Sequence, residues 1–155
     1  MTGPVAHMNL ARLLHPAGDP RVAEFVDGID AVNRVAERSP GFIWRLTAPV
    51  SRNESSGTFE AIDADDPLIA SSVSVWEDLD SLRHFVNKTL HGVFLRKREA
   101  WFQSLNGPVY VIWPVGRDAQ PSMAEAKVKL AELAANGASA AVHDFKWLDA
   151  QRATT

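Results

Sequence analysis

From Val5 to Leu13 the chain alternates, with His7, Asn9 and Ala11 on one face and Met8, Leu10 and Arg12 on the other, which predicts a first strand. The run His15 to Pro20 ends it with turn residues and sets a proline at the start of a helix. Apolar positions recur at helical spacing from Val22 to Arg38, and Ser39-Pro40-Gly41 stops them. Phe42 to Leu46 is a compact second strand. Thr47 to Pro67, with little apolar content besides Phe59 and Ile62, reads as a long loop of the kind that forms lids or binding loops.

Ile69 to Phe102 is the stretch around which the rest is arranged. Its first part alternates as a strand with two unlike faces: Val73 and Val75 point one way, Ser72, Ser74 and Trp76 the other. Hydroxyls and an indole N–H need partners when buried, so the second face is a candidate pocket wall, with a core anchor as the plainer reading of Trp76. Asp78 or Asp80 caps the helix that follows, and Leu79, Leu82, Phe85 and Val86 recur along it. The pattern continues through Leu90, Phe94, Lys97 and Trp101, with His91, Arg98 and Phe102 on a second stripe and Gly92 as a possible kink. Asn106-Gly107-Pro108 then turns the chain into a strand over Val109 to Val115, whose Pro114 suits a sheet edge. A further helix spans Ser122 to Ala135, with Ser122 and Glu125 in capping-box spacing and Gly137 as its stop. Val142 to Leu148 reads as a fifth short strand, and the tail from Asp149 as frayed.

Two βαβ units and an appended αβ predict one domain over residues 1–155 of class α+β, a ferredoxin-like sandwich with an antiparallel sheet and helices on one face. The other sheet face would then be bare, and aromatic residues on a bare face demand a partner, so a homodimer through the sheets is expected.

Composition narrows the classes. A chain of 155 residues with 46% hydrophobic and 23% charged residues is an ordinary globular domain. The net charge of −3 argues against nucleic acid as a partner, and the basic run Arg96-Lys97-Arg98 fits a solvated helix face. The absence of cysteine excludes disulfides and thiolate chemistry. No apolar run nears the length of a membrane span and no signal segment opens the chain, so a soluble cytoplasmic protein is expected, with no membrane partner.

Candidate chemistry centres on few residues. His91 suits a metal or heme ligand, a general base, or a helix residue bonded to a loop carbonyl. Arg45 and Arg98 suit a carboxylate or phenolate, or ion pairs with Glu77, Glu99 or an aspartate. Trp44 and Trp113 offer aromatic surface to a substrate, to the core or to a second subunit. The five histidines (His7, His15, His84, His91, His143) show no zinc-helix spacing, and no glycine-rich phosphate loop follows a strand. Asp63, Asp65 and Asp66 lack the glycine and distant glutamate of a calcium loop and read as a solvated turn.

Ser39 to Leu46 (S-P-G-F-I-W-R-L), Ser74 to Glu77, His91, Arg96 to Phe102 and Pro121 to Leu130 together resemble the family called domain of unknown function 3291, over nearly the whole chain. That family resembles a branch of the dimeric α/β barrel superfamily, beside the antibiotic-biosynthesis monooxygenases. The resemblance implies a dimeric α/β barrel and carries no settled activity. Cofactor-independent monooxygenases of the superfamily use an asparagine and a tryptophan on one strand to bind a phenolic polyketide; Trp76 stands at the tryptophan position and Ser72 where the asparagine would be. Heme-degrading relatives use a first-strand asparagine, a tryptophan and a helix histidine, parts that Asn9, Trp76 and either His84 or His91 match.

The expectation is therefore a homodimeric protein that binds a small aromatic or polyketide-like molecule, with monooxygenation without cofactor as the candidate activity. Trp76, His91 and Asn9 are its candidate catalytic residues, and Ser72, Trp44, Arg45, Arg98 and Trp113 its candidate substrate contacts. Heme binding and a non-enzymatic dimeric interaction module are the alternatives.

Overall fold

The computed structural model describes residues 3–47, 66, 68–90, 97 and 99–153, without the side chains of residues 89 and 90. Most of the expected loop over residues 47–67, the stretch from His91 through residue 96, and Arg98 lie outside the described residues.

The first strand, β1 (Val5–Leu13), is followed by a 3-10 turn at Pro20–Val22 and by α1 (Ala23–Arg38). Asp19 starts this segment by accepting the Arg21 N–H at 2.8 Å. Then come β2 (Phe42–Arg45), β3 (Ile69–Trp76) and α2 (Leu79–Leu90). A two-residue strand, β4 (Phe102–Gln103), precedes β5 (Tyr110–Pro114), and two helices end the chain, α3 (Met123–Asn136) and α4 (Phe145–Ala153).

All described pairings are antiparallel. The sheet runs β2-β3-β1, and both β4 and β5 pair the far side of β1. With β5 as the last long strand, this is the ferredoxin-like order. Along the β1–β3 seam Val5 faces Trp76, His7 faces Ser74 and Asn9 faces Ser72. These pairs share one sheet face, and Ala6–Val75 and Met8–Val73 share the other.

The inner face packs on α1, α2 and α4. Val5, Trp76 and Ile112 of the sheet form one cluster with Ala36, Leu79, Leu82 and Leu148. Trp76 is its anchor: fully buried, stacked on Phe85 at 5.0 Å and edge-on to Phe42 at 5.5 Å. Removing an indole of this size from water contributes about 4–6 kcal/mol. A separate cluster joins Leu13 to Val22, Val26 and Trp101.

The outer face is not bare. Ala6, Met8, Val73, Val75, Val111 and Trp113 pack against Ala126 and Leu133 of α3. The stripe Met123, Ala126, Leu130 and Leu133 turns inward at helical spacing, while Val128 stays 65% exposed. Both caps expected of this helix are present: Ser122 Oγ accepts the Glu125 N–H at 3.1 Å, and Gly137, at φ 78°, donates its N–H to the Leu133 carbonyl. Helices therefore lie on both faces, and the face expected to meet a second copy is occupied by the chain's own α3.

Two other expectations change. The fifth strand over Val142 to Leu148 shrinks to a single bridge between His143 and Ile112, because Asp144 Oδ1 accepts the Trp147 N–H at 2.8 Å and starts α4 there. The tail is not frayed at Asp149. Asp149 meets Arg83 at 2.9 Å, Arg152 meets Asp80 at 3.2 Å, and the Arg83 guanidinium lies 4.7 Å from the Phe145 ring centroid. Strand β4 was not expected, since Trp101 and Phe102 continue a helical spacing in sequence.

Gly41, in the turn into β2, sits at φ +82° where a Cβ would overlap the Ser81 hydroxyl, and its carbonyl accepts the Glu77 N–H at 2.7 Å. The substitution Gly41→Ala should cost about 1–3 kcal/mol in urea unfolding. Ser122→Ala, which removes one cap at the surface, should cost only about 1 kcal/mol.

Candidate functional site

The inner sheet face is interrupted between its two apolar clusters. Along β1, Val5 belongs to one cluster and Leu13 to the other, and the residues between them on that face are His7, Asn9 and Ala11. Across the seam stand Ser74, Ser72 and Ala70, and on the other side of β1 Tyr110 is registered with Asn9. The result is a polar gap in an otherwise apolar layer, held by backbone pairing on both sides of β1.

Each member has a distinct state. Asn9 and Ser72 are exposed, and the Ser72 hydroxyl donates to Asn9 Oδ1. The Asn9 amide NH2 makes no hydrogen bond among the described residues and keeps two donors. Ser74 Oγ accepts the Trp76 indole N–H at 2.9 Å. Tyr110 Oη accepts the Phe145 backbone N–H at 3.0 Å and so ties β5 to the start of α4. Burial pushes the Tyr110 hydroxyl above its ordinary pKa.

His7 is the unusual member. It is 6% exposed, lies 5.9 Å from the Tyr110 ring, and has no hydrogen-bond partner among the described residues. Desolvation lowers its pKa from 6.5 to about 4, so the ring is neutral near pH 7 and offers one donor and one acceptor.

The structure brings together part of the expected set. Asn9 and Ser72 touch. Trp76 shares their face but is sealed in the core with its N–H satisfied, so it is a packing anchor and not a pocket wall. Arg45 faces Ser74 in register and pairs with Glu37 of α1 at 3.5 Å. Trp44 and Trp113 are not part of the gap: Trp44 is registered with Val75, and both pack into the outer cluster beneath α3. Period-two alternation assigns them to that face once the register is known. His91 and Arg98 lie outside the described residues. His84 is exposed on α2, and with Trp76 sealed away, Asn9, Trp76 and His84 do not assemble a heme seat. Among the described residues no group of histidine and carboxylate side chains could hold a metal ion.

His7 and Tyr110 are the members that sequence reasoning left out. Their signal was weak but present: His7 alternates with Asn9 on β1, and only the pairing with Ser74 and Ile112 turns that alternation into a shared site.

What the fold and its inner face define is an α+β sandwich domain with a polar stretch between the two apolar clusters of its sheet-helix layer. Residues 4–155 match the model of the family described as Domain of unknown function (DUF3291), and the chain belongs to that family. No curated protein matches the chain. Among solved structures it is similar to a conserved protein from Methanosarcina mazei Go1, at 13% identity and TM-score 0.50 over 73% of this chain and 93% of that one. That likeness shows the fold alone. SnoaB, a cofactor-independent oxygenase from Streptomyces nogalater, is 16% identical at TM-score 0.45, over 78% of this chain and 97% of that one. No described helix is long and apolar enough to cross a membrane.

The imidazole gives the site a pH signature. Folding holds His7 neutral, so between about pH 6.5 and pH 4 the unfolded chain binds a proton that the folded chain refuses. Stability is then full above the unfolded pKa and falls as the pH drops through this window, by about 3 kcal/mol for His7. Buried His143, whose pKa is also lowered by desolvation, adds in the same direction. Urea unfolding of wild type and His7→Gln between pH 7 and 4.5 should show a shallower slope in the variant; identical slopes would assign the acid sensitivity to other groups.

Proposed function

We propose that the chain binds a small, planar, hydroxyl-bearing aromatic molecule in the gap between its two inner clusters. The observation that carries this reading is His7, a desolvated neutral imidazole on the same sheet face as the exposed Asn9–Ser72 pair. In this reading the imidazole accepts a hydrogen bond from a ligand hydroxyl, the Asn9 amide donates to a ligand carbonyl or phenolic oxygen, and Tyr110 lies against the ring. None of these three groups is charged near neutral pH, which favours a neutral polyketide-like aromatic over a phosphate or a nucleotide.

The reaction class that suits such a site is oxygenation without cofactor. An electron-rich phenol or anthrone supplies the electrons itself; one atom of O2 enters the ring and the other leaves as water. The chain's own part is to exclude water, orient the hydroxyl and stabilise charge that develops on its oxygen. With its pKa near 4, His7 is too weak a base to hold the proton and acts as a positioning acceptor.

A purely binding role is the second reading, favoured by the burial of Trp76, which leaves no indole at the gap. Homodimerisation through the outer sheet face would require α3 to leave Trp113 and its neighbours, and the proposed site is drawn from one chain.

Thermal unfolding against a panel of hydroxylated naphthalenes and anthrones tests the reading. A saturable rise in Tm is expected, with binding weakened about tenfold or more in His7→Leu and Asn9→Ala. Oxygen uptake with the bound compound then separates an oxygenase from a binding protein. A panel without any saturable shift, or a shift indifferent to both substitutions, would overturn the assignment.

A further inference from the structure

The C-terminal helix is fastened to the sheet through a buried side chain that the inner gap does not use. His143 is fully buried, and its backbone exchanges two hydrogen bonds with Ile112 of β5, at 2.8 and 2.9 Å. Its ring stacks on Trp147 of α4, with 4.8 Å between centroids and 15° between planes. Nδ1 lies 3.0 Å from the Ser139 carbonyl oxygen. A carbonyl only accepts, so Nδ1 carries the proton and the neutral ring keeps its lone pair on Nε2. That nitrogen is buried and has no hydrogen-bond partner among the described residues.

Such a seat suits one protonation state. A second proton turns Nε2 into a charged donor that is shut away from water and has no partner, which costs more than a neutral acceptor left unmet. Asp144, next in the chain, favours the proton, but burial outweighs it and the net shift of the imidazole is downward. Asp144 Oδ1 is also engaged as the cap of α4. The β5 residues tied to this segment are uncharged: Ile112 through the bridge, and Tyr110 through its Oη, which accepts the Phe145 N–H. Arg83 of α2 and Asp149 of α4 pair with each other beside Phe145.

The chain before His143 is anchored separately. Ser139 N–H donates to the Val142 carbonyl at 2.7 Å, Ser139 Oγ accepts the Ala141 N–H at 3.2 Å, and Val142 is buried in the outer cluster with α3. Beyond it, α4 adds Leu148 to the inner cluster and two exposed ion pairs to α2, Arg83–Asp149 and Asp80–Arg152, which hold weakly in water. The result is a fixed point at Val142 followed by an end that can leave without breaking a long strand. We propose that His143 is an acid latch: a proton on its ring releases residues 143–153 from β5 and α2 as a unit, while the β1–β3 ladder and α3 stay folded. Release takes the Phe145 N–H from Tyr110 and so loosens the β5 side of the inner gap. As regulation of that gap it rests on the ligand reading above, whereas the release itself does not.

Amide hydrogen exchange of the full chain, compared as protection factors at pH 7 and pH 5, reads the release directly. The docked imidazole has its pKa lowered from 6.5, so the latch holds above that value and weakens as the pH falls below it. Protection of the His143, Phe145 and Leu148 amides should drop about tenfold or more between pH 7 and pH 5, and at pH 5 lie at least tenfold below that of the β1 and β3 amides. His143→Phe, which keeps an aromatic ring on Trp147 without a titrating nitrogen, should remove the drop. His143→Gln, which still offers a donor to the Ser139 carbonyl, should remove it too, and His7→Gln should retain it. A ligand screen that fails leaves this measurement untouched, since no ligand is present. Latch amides as protected at pH 5 as those of β1 and β3, or a drop that persists in either folded His143 variant, would overturn the proposal.

Discussion

The antiparallel pairing of β1 with β3 is the constraint on which the rest of the molecule depends. It places Val5 against Trp76, His7 against Ser74 and Asn9 against Ser72. A slip of one residue would carry Trp76 to the outer face and Val73 and Val75 to the inner one, destroying both cores at once. The strong register is therefore a consequence of two-sided burial, and the polar gap inherits that rigidity. Asn9 and Ser72 are held by a ladder whose ends are locked by apolar clusters, a firmer support than a loop would give.

Both faces of the sheet are used, for different ends. Inside, Trp76 fills the layer at one end and Trp101 at the other, and the stretch between them is left polar. Outside, α3 supplies the apolar cover that an open antiparallel sheet otherwise needs from a neighbour. The cover packs over Val73, Val75 and Trp113, and a groove lies beside Ala131 and Ala134. The C-terminal region thus takes part in both layers, since α4 completes the inner cluster through Leu148 and holds Tyr110 by the Phe145 N–H.

Much of the fold was legible because local and global signals agree. Period-two alternation set β1 and β3, helical spacing set α1 and the start of α2, and the Ser122–Glu125 pair with Gly137 bounded α3. What failed was placement across the chain. No local pattern says that α3 crosses to the outer face, because Met123, Ala126, Leu130 and Leu133 suit any apolar surface equally well. Asp144 reads as one more residue of an alternating strand until its side chain is seen capping α4. The site shows the same division. Asn9 and Ser72 were found from alternation and from a family resemblance, whereas His7 becomes notable only through burial, which a sequence does not display. Trp76 carried the strongest sequence signal and proved to be a packing residue.

The central claim is that the inner gap is a ligand site with His7 at its floor. Its most direct test is the imidazole 15N spectrum of the labelled protein, recorded against pH and then against a phenolic ligand found by thermal shift. The account predicts a His7 ring that stays neutral down to about pH 4 and shifts to a single hydrogen-bonded tautomer at one equivalent of ligand. A His7 ring that titrates near pH 6.5, or that stays unchanged while the ligand saturates the protein, would contradict it.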